Sequence, residues 1–155
     1  MYVLNGIDEV RAAVGRHLGY SEYLVLTQEH IDRFAALTGD DQWIHVDAQR
    51  ARTGPFGATI AHGLLTLSIG PTLARTLYRI DGMTMGVNYG YDKIRFPAPV
   101  PVESKVRLGA TISSVDDVRG GVQVGITFVW EIEGGEKPAC VAEMLLRYTG
   151  AASAA

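Results

Sequence analysis

The sequence predicts an α+β layer fold, with a long apolar helix laid on one face of an antiparallel sheet. Two observations carry this. In the first half, apolar residues recur at helical spacing, ending in a run from about Ala61 to Tyr78 with almost no polar face. After Gly82 the period changes to two, and long alternating stretches are separated by glycine pairs. Helices first and a strand meander afterwards give segregated layers. A helix this apolar must be nearly surrounded, so the sheet is expected to curve strongly round it.

The elements follow in order. Residues 7–18 read as a short helix, with Ile7, Val10, Ala13, Val14 and Leu18 on one face and Gly19 as its stop. Residues 22–26 suggest a strand. Thr27 is a helix N-cap with Glu29 in the first turn. Its helix carries Ile31, Phe34, Ala35 and Leu37 and ends near Gly39. Residues 47–52 form a helical turn capped by Asp47, and Gly54-Pro55-Phe56-Gly57 is loop. The helix over 61–78 includes Leu64, Leu65, Leu67, Ile69, Leu73 and Leu77; Pro71 inside it predicts a kink or break within one helix. Strands are expected over 85–96, 103–116, 122–133 and 138–149. Pro97, Pro99 and Pro101 make an extended connector, and Gly120-Gly121 and Gly134-Gly135 make turns.

Bulk properties narrow the class. A chain of 155 residues, 47% hydrophobic and 20% charged, has the length of one domain and the apolar content for a core. We expect a single domain over 1–150 and a fraying tail over 151–155. The net charge of −3, with scattered Lys and Arg, gives no basic block for nucleic acid. The apolar run near 58–74 is broken by His62, Gly63, Thr66, Ser68, Gly70 and Pro71, so no membrane span is expected. No basic region precedes an apolar leader, and Cys140 is the only cysteine. The expectation is a cytoplasmic protein with no internal disulfide. Neither HExxH nor a cysteine cluster suggests a metal, and two isolated histidines with one acid do not make a ligand set by spacing alone.

The segment Thr38-Gly39-Asp40-Asp41-Gln42-Trp43-Ile44-His45-Val46-Asp47 places an acid and an imidazole five residues apart in a loop. Ile60-Ala61-His62-Gly63 follows and opens the apolar helix. An acid, a base and a backbone N–H at a helix start are what proton transfer on a carbonyl compound needs. Singly, Asp40 reads as a helix terminator and His45 as a surface or satisfied core histidine. Together, with Gly63 downstream, they read as a catalytic pair. Asp41 reads as solvated, Asp47 as a cap, and His17 and His30 as surface residues of helices.

Gly39-Asp40-Asp41-Gln42-Trp43-Ile44-His45 resembles the hydratase-2 motif of MaoC-like (R)-specific enoyl-CoA hydratases, Gly-Asp-any-Asn-Pro-aliphatic-His. Ala61-His62-Gly63 resembles the family's His-Gly, and Arg95-Phe96-Pro97-Ala98-Pro99-Val100 its Phe-x-x-Pro-Val segment. The likeness covers roughly residues 20–150 and is nearest the nodulation-protein-N-like subgroup. Gln42 and Trp43 depart from the motif's Asn and Pro, which changes the loop geometry and leaves the acid and imidazole in place.

The resemblance implies a hot-dog fold, a homodimer, an acyl-CoA substrate and a hydro-lyase that adds water to trans-2-enoyl-CoA to give (R)-3-hydroxyacyl-CoA. No metal or redox cofactor is implied. Asp40 and His45 become the catalytic pair holding one water, with His45 favoured as base. The Gly63 N–H becomes the oxyanion donor. Gln42, His62, Phe56, Asn88 and Tyr89 are candidate substrate contacts, and Lys93 and Arg95 are candidate partners for the CoA phosphates. The alternatives are a 3-hydroxyacyl-thioester dehydratase of fatty-acid synthesis, a hot-dog thioesterase and a non-catalytic acyl-CoA-binding subunit.

Overall fold

The computed structural model describes residues 1–151. Strand β1 (Tyr2–Asn5) leads into helix α1 (Gly6–Ala12), and short strands β2 (His17–Tyr20) and β3 (Leu24–Leu26) follow. Helix α2 (Gln28–Thr38) precedes two single turns, α3 (Trp43–Val46) and α4 (Ala48–Ala51). The central helix comes as α5 (Gly63–Ser68) and α6 (Gly70–Leu77). Strands β4 (Tyr78–Asp81), β5 (Met83–Arg95), β6 (Ser104–Val118), β7 (Gly121–Ile132) and β8 (Cys140–Ala151) complete the chain. The rest of the expected tail, residues 152–155, lies outside the described residues.

The main sheet is antiparallel in the order β2-β6-β7-β8-β5, with β3 also on β6. The alternation along β6 and β7 puts one face inward. Val106, Leu108, Ala110 and Ile112 of β6 are fully buried, as are Val124, Ile126, Phe128 and Trp130 of β7. Against that face lie Leu65, Leu67, Leu73, Ala74 and Leu77 of the central helix. Each fully buried Leu or Ile contributes roughly 1.5–3 kcal/mol over an exposed one, so the helix–sheet seam is the main source of stability. This is the hot-dog arrangement. Gly70 lets the helix approach: a Cβ there would lie 2.5 Å from Cζ2 of Trp130.

One local expectation needs correction, one is met, and one pair of strands was not foreseen. The helix expected over 7–18 stops at Ala12, because the chain turns at Gly15 with a φ of +83° and its N–H joins Ile112. Leu18 and Gly19 then belong to β2, whose register on β6 is irregular. The apolar run over 61–78 is interrupted at Ile69. Pro71 has no N–H for the carbonyl of Leu67, although Ile69 and Leu73 still donate to Leu65 and Ile69. The strands β1 and β4 were not foreseen; they pair in parallel, Tyr2 opposite Tyr78 and Asn5 opposite Asp81. Two apolar positions also turn outward, Leu37 at 84% exposure and Leu64 at 58%. Among the described residues no helix is long and apolar enough to cross a membrane.

Candidate active site

The site is built from three consecutive devices. First, Thr27 caps α2: its hydroxyl accepts from the His30 N–H, and the His30 ring accepts from the Thr27 N–H. His30 is thus a capping residue rather than a plain surface one. Gly39 ends the helix at a φ of +76°, its N–H returning to Ala35, a left-handed turn that costs glycine little. That turn delivers Asp40 to the surface, with its N–H on the Thr38 hydroxyl.

Second, the single turn α3 carries His45 inward to 7% exposure. Its N–H donates to the Gln42 carbonyl, and its own carbonyl accepts from Nε2 of Gln28 at 2.8 Å. Gln28 also accepts from the buried Thr59 hydroxyl at 2.6 Å. Gln28 is a supporting residue that no sequence signal marks. Trp43, where the family motif has Pro, packs over Gly54 and under the Arg50 guanidinium, 4.4 Å from its ring centre. Contact therefore holds the turn that a proline would fix by its ring.

Third, residues 59–61 are stitched on both sides. Ile60 donates to the Ile44 carbonyl, Ala61 to Val100, and Val102 to Thr59. The proline connector thus fixes the strip against which the motif loop rests. The Ile60 carbonyl accepts from Nδ1 of His45 at 2.7 Å. A carbonyl oxygen only accepts, so this contact assigns the proton to Nδ1 and leaves the lone pair on Nε2. His45 is therefore oriented as a proton acceptor.

His62, a candidate from the sequence, joins this pair. Its ring stacks on His45 with centroids 3.8 Å apart and planes 24° apart. A carboxylate oxygen of Asp40 and one ring nitrogen from each histidine lie within 4.8 Å of one another. Imidazole lone pairs lie in the ring plane, so two near-parallel stacked rings direct theirs side by side rather than at one point. That geometry suits a shared metal ion poorly.

Beside His45 is a cleft of about 310 Å³, lined by Phe56, Gly63, Thr66, Phe96, Val100 and Ala139 among others. Its wall is largely apolar. The Gly63 N–H opens α5 and has no acceptor among the described residues. Of the expected contacts, His45, Gly63 and Phe56 line this cleft, and Asp40 and His62 meet His45 beside it. The others do not. Gln42 is exposed and its side chain makes no cap bond. Asn88 lines a second cleft, of about 420 Å³, beside Arg75, Tyr78 and Tyr148. Burial pushes the Tyr78 hydroxyl above its usual range and that of Tyr148 up to about 12, so both stay protonated. Tyr89 stands under the Arg147 guanidinium on an exposed strand. Lys93 is 3.8 Å from Glu143, its neighbour in strand register, and Arg95 turns back to the Ile94 carbonyl. Neither basic residue lines the His45 cleft.

A family model, the MaoC like domain, matches residues 9–133. The chain belongs to the MaoC-like family of hydratases and dehydratases. The expectation of a hydro-lyase stands with that membership. The chain is 46% identical over 149 residues to 3-hydroxyacyl-thioester dehydratase Z of Mycobacterium tuberculosis, covering 96% of this chain and 99% of that protein. It is 40% identical over 143 residues to Nodulation protein N of Rhizobium leguminosarum bv. viciae, covering 90% and 88%. Among solved structures, the C-terminally truncated HadBC (3R-hydroxyacyl-ACP dehydratase) complex of Mycobacterium tuberculosis matches with a TM-score of 0.74 at 20% identity, over 87% of this chain and 96% of that one. At that identity the likeness speaks for the fold.

Proposed function

We propose that this MaoC-like protein is a 3-hydroxyacyl-thioester dehydratase, interconverting an (R)-3-hydroxyacyl thioester with the trans-2-enoyl thioester and water. Enoyl-CoA hydration is the same reaction run backwards at the same residues, so the reading moves the emphasis of the sequence-based one and keeps its chemistry. Near-full-length identity to a protein named as such a dehydratase favours this direction. The observation that carries the chemistry is the free Nε2 of His45, fixed by the Nδ1–Ile60 contact, beside the Asp40 carboxylate.

In the elimination, the thioester lies along the cleft with its oxygen on the Gly63 N–H. His45 Nε2 takes the C2 proton, and the electron pair moves to the C2–C3 bond through an enolate-like thioester. The C3 hydroxyl leaves with that proton as water, held by Asp40. General base catalysis of this kind is worth roughly 10²–10⁴-fold, and one oxyanion donor roughly 10²–10³-fold. The apolar wall of Phe56, Phe96 and Val100 takes the start of the acyl chain. Arg95, next to Phe96 in the chain, is the better candidate than Lys93 for the CoA phosphates, because Lys93 already has Glu143.

Two further readings belong here. The protein is a homodimer, joined through β5, which among the described residues pairs with β8 on one side only and exposes Met85, Val87 and Tyr89. An unpaired edge with exposed apolar residues is a template for a second copy. Its setting is cytoplasmic, where CoA thioesters are handled.

The test is to supply (R)- and (S)-3-hydroxybutyryl-CoA separately and follow the conjugated-enoyl absorbance. Appearance of enoyl product from the (R) ester alone is the expected result. Release of free CoA in its place would support a thioesterase, and tight ester binding without turnover a binding subunit.

A further inference from the structure

His62 is 3% exposed and the proposed chemistry gives it no task. Its Nε2 is 2.9 Å from the backbone carbonyl of Asp40. The acceptor is again a carbonyl, so the ring must donate from Nε2 and keep its lone pair on Nδ1. That Nδ1 is buried with no hydrogen-bond partner. His62 and His45 thus carry their protons on opposite ring nitrogens while stacked face to face. Phe34 also packs against the His62 ring, tilted, with centroids 5.0 Å apart.

We infer that His62 is a positioning residue, one buried imidazole that sets Asp40 and His45 in register with each other. The need for it follows from how the two are held. Asp40 is exposed, and its carboxylate has no hydrogen-bond partner among the described residues. His45 is anchored five residues later through Ile60 and Gln28. The His62 N–H fixes the backbone of Asp40, while its face fixes the plane of the His45 ring. Nothing stands at Nδ1 to receive or supply a proton, so His62 has no relay path to the substrate. Its place as the residue before Gly63 ties the same clamp to the start of α5. This role rests on the dehydratase reading, but the tautomer it requires does not.

The test uses the full chain and two variants. His62→Phe keeps a ring against His45 and loses the donor. His62→Gln puts an amide N–H near the position of Nε2 and loses the ring. Misplacing a reacting group by about 1 Å costs on the order of 100-fold, so His62→Phe, which frees the Asp40 backbone, should lose kcat on that scale; His62→Gln, which frees the His45 ring, should also lose kcat, and KM should change little in both. Nitrogen NMR of the unmodified protein should show His62 protonated at Nε2 and His45 at Nδ1. Wild-type kcat in either folded variant, a rise in KM alone, or His62 protonated at Nδ1 would each overturn the inference. If His62→Phe does not fold, His62→Gln and the tautomer decide. If wild type is inert on hydroxyacyl and enoyl thioesters, the dehydratase reading fails while the tautomer still tests the clamp.

Discussion

Gly63 lies flat against the ring of Phe96: a Cβ added at Gly63 would sit 3.0 Å from three of its carbons. The glycine thereby keeps open the cleft that both residues line. Gly63→Ala retains the N–H but forces the Phe96 ring toward the acyl path. We expect kcat/KM to fall by about 10- to 100-fold, less than the roughly 10²–10³-fold cost of losing an oxyanion donor outright, because the N–H is retained, while the thermal midpoint moves little. An alanine variant with unchanged kcat/KM would remove Gly63 from the site.

Gly70 meets Trp130 still more closely, with 2.5 Å between its would-be Cβ and Cζ2 of a fully buried ring. Overpacking of this kind costs about 1–3 kcal/mol, against an alanine helix preference of at most about 1 kcal/mol. Gly70→Ala should therefore lower the thermal midpoint, by about 2–4 °C for each kcal/mol in a chain of this size. Calorimetry of the variant beside wild type checks this. A raised midpoint would mean that the helix does not press on Trp130.

Cys140 stands at the start of β8, fully buried, and burial pushes its thiol from 9.0 up to about 12. The folded protein should resist a thiol-specific reagent at about pH 8 and react on unfolding. The sign of the pH effect follows. The unfolded thiol ionises near its ordinary value, the folded one does not, and the unfolded state binds fewer protons above about pH 9. Its contribution is full below that point and is lost as pH rises toward 12. Denaturant midpoints of wild type and Cys140→Ala should therefore keep their separation below about pH 9 and draw together above it; curves that stay parallel up to about pH 10 would contradict the burial.

The β5 edge supplies the dimer prediction. Val87 is 44% exposed there, and a lysine at an edge position opposes strand addition. Val87→Lys should shift the protein from dimer toward monomer in light scattering at unchanged far-ultraviolet dichroism. A wild-type protein that is monomeric at micromolar concentration would remove the proposed dimer.

Much of this architecture was legible because it depends on local signals. The alternation of β6 and β7 names the buried face residue by residue, and Thr27 and Gly39 mark both ends of α2. The Asp40–His45 spacing, read with His62-Gly63, picks out residues that the fold brings close together at the candidate site. What escaped depends on distant partners. Strands β1 and β4 are four residues each and pair across more than seventy positions, too short for a periodic signal. Leu37 and Leu64 satisfy helical spacing yet face outward, because periodicity gives a stripe and packing decides which edge of it is covered. Asn88, Tyr89, Lys93 and Arg95 sit on a correctly expected strand, but alternation cannot say which cleft, if any, a strand face borders. Gln28 holds His45 only through the tertiary fold.

The most direct test of the whole account is the initial rate with crotonyl-CoA and with (R)-3-hydroxybutyryl-CoA for wild type, Asp40→Asn and His45→Gln. The account predicts that wild type turns over both and that each variant loses roughly 10²–10⁴-fold in kcat with its fold intact by dichroism. Folded variants that keep wild-type rates on both substrates would contradict it.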